Sequence, residues 1–459
     1  MQIIIAGCGK LGSLLAQSLI EEQHNLTLID TEQDVLDRCA DSLDALTVKG
    51  SCIDVETLEE ADISHCDIFI STTKNDETNM LGCLIAKKKG AQYTIARIRD
   101  PQYLRSMNFI TEELNIDYVA NPERATAREI SRMLRLPFAS GIETFVRGLV
   151  ELIEIRVNGD EPFCDIPLKN VYVKSRNMPR VLFCGVERDG VPQIPKGDFI
   201  IKQGDKLYAA ADSSTITAFF RFLGRSTKSA KDAIIVGGSR TAYYLCQLLD
   251  ESDVKTKLIE KNEDQAKKLN EMLDKTIVIC GDGTDQDLLM SEGLENADAF
   301  IALTDRDEEN LMSGLYATTV SKGHVIVKSN HVNYTRLLAG TGLNSVINPT
   351  QIACNIIVRA VRSRSNAKAY SSIERMYRMM DGKAEALEFK VSDGNAPYLN
   401  KPLSALSIAD NALIAVIVRG SKVKVPFGDD TIQPGDNVII ITNMIGITDI
   451  GDVIKVKDE

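Results

Sequence analysis

Close to its start the chain carries Gly7-Cys8-Gly9-Lys10-Leu11-Gly12, the glycine spacing of a dinucleotide fingerprint. Chemistry assigns each glycine a task. Gly7 makes a tight turn, Gly9 lets the backbone approach a pyrophosphate, and Gly12 allows a helix to pack closely on a strand. The helix that follows presents unpaired N–H groups and the positive end of its dipole to the phosphates. Eighteen residues beyond Gly12 a second strand ends in Asp30. That carboxylate would accept hydrogen bonds from ribose hydroxyls and repel a 2′-phosphate, so the pattern reads as a site for NAD(H) rather than NADP(H). Arg97 and Arg99 close a later strand at its carboxyl edge, where ligands of α/β folds sit. Arg97 is expected to meet a phosphate, and Arg99 to pair with a surface carboxylate.

The same constellation returns 230 residues later, as Gly237-Gly238-Ser239-Arg240-Thr241-Ala242 with Glu260 in the place of Asp30. Here the middle glycine is Ser239, whose Cβ would crowd a pyrophosphate, while Arg240 offers a charge to one. The second site therefore stands open between altered binding and none. The repetition extends further. T-x-x-D-E-x-N recurs at 73–79 and 304–310, and Arg188, Gly197 and Gly204-Asp205 match Arg419, Gly428 and Gly435-Asp436 at an offset of 231. A repeat of half the chain is too long for a solenoid and reads as a tandem duplication of a two-domain module.

The elements that must position these residues follow from periodicity. Residues 2–6, 26–30, 67–71 and 93–98 are short apolar runs, the signature of parallel strands buried on both faces. Helical patterns separate them: Leu11, Leu15 and Leu19 share one face, and Val35, Cys39 and Leu43 another, with Thr31 as the expected N-cap. After Asn121-Pro122 a helix is expected to about Leu136. Strand–helix alternation predicts a doubly wound, Rossmann-like parallel sheet. The second part of each module is of another kind. Strands at 151–157, 181–188 and 206–211, with a helix at 214–223, predict a small α+β domain, echoed at 386–391, 412–419 and 437–442. Met376, Met379 and Met380 are expected to pack in a helix core or to form a contact surface. The expected boundaries are 1–138, 139–226, 230–365 and 370–459.

Composition narrows the function. The 459 residues carry a net charge of −12, which disfavours nucleic acid and anionic lipid as direct partners. No apolar run approaches the roughly 20 residues of a membrane span, and no secretory signal precedes MQIIIAG, so a cytosolic or peripheral protein without membrane insertion is expected. The ten cysteines include no C-x-x-C pair, and the four histidines are scattered, so no metal site is expected. A dehydrogenase needs an acid or base beside the nicotinamide. His24 and His65 fall in connections away from the strand ends, and no catalytic set is visible.

The doubled order of nucleotide fold and small module, with MQIIIAGCGKLG, STTKNDETNM at 71–80 and ARIRDP at 96–101, resembles the TrkA family of peripheral subunits of Trk potassium uptake systems. The resemblance covers essentially the whole chain. It implies two RCK nucleotide-binding domains, each followed by a TrkA-C domain. It also implies nucleotide contacts at Gly7 through Leu11, Asp30, Thr73, Lys74 and Arg97, and at Gly237 through Thr241 and Glu260. Further, it implies NAD or NADH, and ATP or ADP, as ligands, an integral-membrane Trk subunit as partner on the cytoplasmic face, and a ring-like homo-oligomer. The nucleotide would then be an effector rather than a hydride carrier. The alternatives are an NAD-dependent oxidoreductase with unrecognised substrate residues, or a nucleotide sensor for another membrane partner.

Overall fold

A computed structural model describes residues 1–104, 106–135, 141–225, 229–330, 343, 345–365, 371–380, 382–392, 394, 396–444 and 446–456. The expected domain boundaries at 138/139, 226 and 370 lie outside these residues.

The first nucleotide fold runs β1 Gln2–Ala6, α1 Lys10–Glu21, β2 Asn25–Asp30, α2 Gln33–Ser42, β3 Leu46–Lys49, α3 Val55–Glu60, β4 Ile68–Ser71, α4 Asp76–Lys89, β5 Tyr93–Arg97, α5 Pro101–Leu104, α6 Met107–Glu113, β6 Tyr118–Ala120 and α7 Pro122–Met133. The first small domain follows with β7 Gly141–Phe145, β8 Val150–Arg156, α8 Leu168–Lys174, β9 Leu182–Arg188, β10 Val191–Gln193, β11 Lys206–Asp212 and α9 Ser213–Phe222. The second nucleotide fold comprises β12 Asp232–Val236, α10 Arg240–Glu251, β13 Lys255–Glu260, α11 Glu263–Met272, β14 Ile277–Cys280, α12 Gln286–Ser291, β15 Ala299–Ala302, α13 Asp307–Val320, β16 His324–Lys328, β17 Ser345–Ile347 and α14 Pro349–Ser365. The second small domain holds β18 Ser371–Met379, β19 Ala384–Val391, β20 Leu406–Ile408, β21 Ala412–Arg419, β22 Lys422–Lys424, β23 Asn437–Thr442 and β24 Ile454–Val456.

These elements gather into two compact units, residues 1–131 with 230–361 and residues 132–229 with 362–459. Within the first unit each nucleotide fold is a six-stranded sheet, ordered β3-β2-β1-β4-β5-β6 and β14-β13-β12-β15-β16-β17. The registers repeat as the sequence does: Ile5 faces Leu28 and Ile70, and Ile235 faces Leu258 and Ile301, all in parallel pairs. Strand order reverses between β1 and β4, and between β12 and β15, which opens a crevice at the carboxyl ends of the strands. Ile3, Ile4, Ile5 and Ala6 have no exposed surface, as strands covered on both faces require. The two folds also touch. The Tyr244 hydroxyl on α10 donates to the Arg99 carbonyl at 2.7 Å and accepts from Asn121 Nδ2 at 3.2 Å.

Within the second unit both sheets are antiparallel, ordered β10-β9-β11-β8-β7 and β18-β19-β23-β21-β22, with β20-β24 as a separate pair. Phe163, Phe183 and Phe219 fill the first small domain. A further core is common to both: Val150, Leu152, Tyr208 and Ala210 pack with Met379, Met380, Ala386, Ile439 and Ile441.

Two expectations change. Thr31 does not cap α2. The helix starts at Gln33 behind Glu32, because the Asp30 carboxylate accepts the Glu32 N–H at 3.0 Å and holds that turn outside the helix. Its buried residues are accordingly Leu36 and Cys39. Met376 and Met379 lie on a strand, β18, and Met380 follows it; all three are buried.

Candidate functional site

The glycine turn between β1 and α1 shows which of its features the fold needs. Gly7 has φ +92°, and a Cβ there would lie 2.8 Å from the Thr73 nitrogen. A Cβ on Gly12 would collide with the Gly7 carbonyl oxygen. Gly9 differs: its φ of −66° suits any residue, and a Cβ would meet nothing within 4 Å. Neither backbone nor packing asks for glycine at position 9. The space it leaves lies at the N-terminus of α1, which has no side-chain cap. Open N–H groups beside an empty cradle are what a phosphate would use.

Asp30 closes the other side of this turn. Its Oδ2 accepts the Cys8 N–H at 2.7 Å and its Oδ1 accepts the Glu32 N–H. Each oxygen keeps a lone pair for a ribose hydroxyl. Cys8 is buried, and its Sγ lies 3.7 Å from the Ile29 carbonyl. Burial pushes its thiol well above the ordinary value, with Cys39 and Asp30 adding to the effect, so Cys8 is a packed residue and no activated nucleophile.

The remaining residues are placed by two side chains to which the spacing assigned no role. Asn79, fully buried on α4, accepts at Oδ1 from the Thr73 N–H at 2.8 Å, the Thr73 hydroxyl at 2.7 Å and the Ser71 hydroxyl at 2.9 Å. Its Nδ2 donates to the Arg97 carbonyl at 2.8 Å. One amide thereby ties the loop after β4 to the end of β5. Asp76, also buried, accepts the Arg99 and Asp100 N–H groups at 2.8 Å each. Its Oδ1 takes the Arg99 Nε at 3.2 Å. Arg99 thus pairs with a buried carboxylate instead of the surface one expected, because Asp76 must satisfy the loop's backbone. The signal was present in the sequence, since these are the D and N of T-x-x-D-E-x-N. Arg97 lies 3.5 Å from Glu123 on α7, and burial draws its guanidinium below the usual value. Lys10 and Lys74 are exposed beside the crevice.

The second fold repeats this plan with altered groups. Gly237 has φ +94°. The Gly238 N–H donates to Glu260 Oε2 at 2.5 Å, and Glu260 Oε1 accepts from Asn262 at 2.7 Å. Ser239 caps α10, its hydroxyl accepting from the Ala242 N–H at 3.3 Å. Asn310 accepts the Thr304 N–H at 2.8 Å and donates to the Lys328 carbonyl at 3.0 Å, and Asp307 accepts from the Asn330 N–H at 2.7 Å. Thr241 is buried, while Arg240 reaches Asp100 of the first fold at 3.4 Å. A cavity of about 520 Å³ lies over this loop, lined by Gly237, Gly238, Ser239, Arg240, Glu260 and Thr304, with Asp100 and Pro101 at its edge. A second cavity of about 390 Å³ lies between the two folds, lined by Arg97, Arg99 and Glu123 and by Asp305, Lys328 and Thr350. Among the described residues no cluster of His, Cys, Asp or Glu could hold a metal ion, and no helix is long and apolar enough to cross a membrane.

Comparison with known proteins agrees with the doubling. The TrkA-N domain model matches residues 3–122 and 233–349, and the TrkA-C domain model matches 152–224 and 386–452. The Trk system potassium uptake protein TrkA of Vibrio alginolyticus is 30% identical over 447 residues, 96% of this chain and 95% of that protein. The TrkA homolog of Archaeoglobus fulgidus is 27% identical over 455 residues, 99% of this chain and all of its own length. Among solved structures, the GsuK channel bound to NAD superposes with a TM-score of 0.61 at 16% identity, covering 96% of this chain and 76% of that one. The GsuK RCK domain gives 0.61 at 17%, covering 96% and 92%. At these identities the structural likeness speaks for the fold.

Proposed function

The chain belongs to the TrkA family, and from that premise we propose that it is a cytoplasmic, peripheral regulatory subunit of a potassium transporter. In this reading it binds NAD(H), and ATP or ADP, and passes their binding to a membrane partner. The observation that carries this is Gly9, a glycine that neither backbone strain nor packing requires, at the bare N-terminus of α1 and across the turn from Asp30. The relatives matched along nearly their whole length are potassium uptake proteins, which sets the oxidoreductase reading aside. Nucleotide contacts are assigned to Gly7 through Leu11, Asp30, Thr73, Lys74 and Arg97, and to Gly237 through Thr241 and Glu260.

Regulation sets an energetic requirement. A nucleotide that binds two arrangements equally shifts nothing, and moving a balance from 1:99 to 99:1 takes about 5.5 kcal/mol of differential binding. Two sites per chain, multiplied in a ring-like oligomer, would let modest differences sum. The test is potassium flux into liposomes carrying the Trk membrane subunit, with and without this protein, under NADH, NAD, ATP and ADP. A nucleotide-dependent change that requires the protein is expected. An unchanged flux, with nucleotide bound, would assign the sensor to a different membrane partner.

A further inference from the structure

The two crevices are equivalent in backbone and opposite in charge at one point. Thr73 and Thr304 are held alike by Asn79 and Asn310, yet the next residue is Lys74 in the first fold and Asp305 in the second. Both lie after the strand (β4, β15) that begins the far half of the sheet. A dinucleotide bound across the switch point would lay its distal part over that half, and a nucleoside polyphosphate its outermost phosphate. The neighbouring cations have been rearranged to match. Arg97 has its carboxylate on the following helix, Glu123 at 3.5 Å. Lys328 occupies the place of Arg97, but Thr350 stands where Glu123 does, and the carboxylate near Lys328 is Asp305 itself, also at 3.5 Å. Asn330 moreover replaces Arg99 beside the equivalent buried aspartate. The first crevice thus offers an exposed ammonium at its far end, whereas the second offers a carboxylate that is 98% exposed.

Resting on the nucleotide-binding reading above, we infer that Asp305 sets the selectivity of the second site. It turns that site away from nucleoside triphosphates and toward dinucleotides, and Lys74 biases the first site the other way. The terminal phosphate of a triphosphate carries about two negative charges and would meet Asp305 near Lys328. The distal half of NAD(H) ends in a neutral or cationic nicotinamide with no phosphate, and a carboxylate does not repel it. One chain would then read two nucleotide pools at once.

The test uses the full chain with the first site closed by Gly9→Val, and then adds Asp305→Lys. ATP and NADH affinities are measured by calorimetry at fixed ionic strength. Asp305→Lys is expected to tighten ATP by about tenfold, an effect that shrinks as salt rises, while NADH moves by less than about twofold. Equal changes for both ligands, or none, would overturn the inference. So would a Gly9→Val chain that binds neither nucleotide while the unmodified chain binds both. Failure of the unmodified chain to bind any nucleotide would overturn the functional reading with it. Asp305 is at the surface with no structural load beyond Lys328, so the substituted chain is expected to fold.

Discussion

A Cβ placed on Gly9 meets open space, whereas one placed on Gly12 runs into the Gly7 carbonyl. The same side chain should therefore have different consequences three residues apart. Gly9→Val changes an N-cap and is expected to cost at most about 1 kcal/mol, with nucleotide binding at the first site lost. Gly12→Val overpacks the junction of helix and strand and is expected to cost about 3 kcal/mol. Denaturant unfolding beside calorimetric binding separates the two; equal destabilisation would remove Gly9 from the site. The fingerprint glycines and Asp30 were legible from spacing, because their types answer to a ligand. That Asp30 also holds the Cys8 and Glu32 N–H groups was not, since a hydrogen bond to local backbone leaves no periodic trace.

The strands β1, β2, β4 and β5 and the helices between them declare themselves by apolar runs and helical spacing. Among the strands that spacing missed are β3, β6, β7, β10, β18, β20, β22 and β24. Most are edge strands of three to five residues, such as β3 with Leu46 exposed, and carry too little alternation to stand out. The loop after β4 is likewise shaped by something that hydrophobic patterning cannot report, the amide of Asn79. Asn79→Ala would strand the Thr73 N–H and the Arg97 carbonyl and is expected to cost about 3 kcal/mol. It should also loosen nucleotide binding by displacing Thr73 and Arg97 together. Thermal melts with and without ATP, the ligand toward which Lys74 biases the first site, would show it: an unchanged ligand-induced rise in Tm would mean that the loop holds without the amide.

At the scale of the molecule the duplication was legible because motifs kept their offset through both halves. What the offset could not convey is that like packs with like, nucleotide fold with nucleotide fold and small domain with small domain. The shared core of Val150, Leu152 and Tyr208 with Met379 and Ile439 makes neither half self-sufficient. Residues 1–229 expressed alone are expected to pair with a second copy of themselves and sediment as a dimer. A monodisperse monomer would show that the first half covers that face by other means.

Tyr244 gives this partnership a direction. Its counterpart in the first fold is Leu14, which has no hydroxyl with which to return the bond that Tyr244 makes to Arg99. Twin genes fused end to end begin as interchangeable heirs, but a donor kept by one heir and an acceptor used in the other make the inheritance unequal. From then on the second half cannot be replaced by a copy of its sibling without leaving the Arg99 carbonyl's bequest unclaimed.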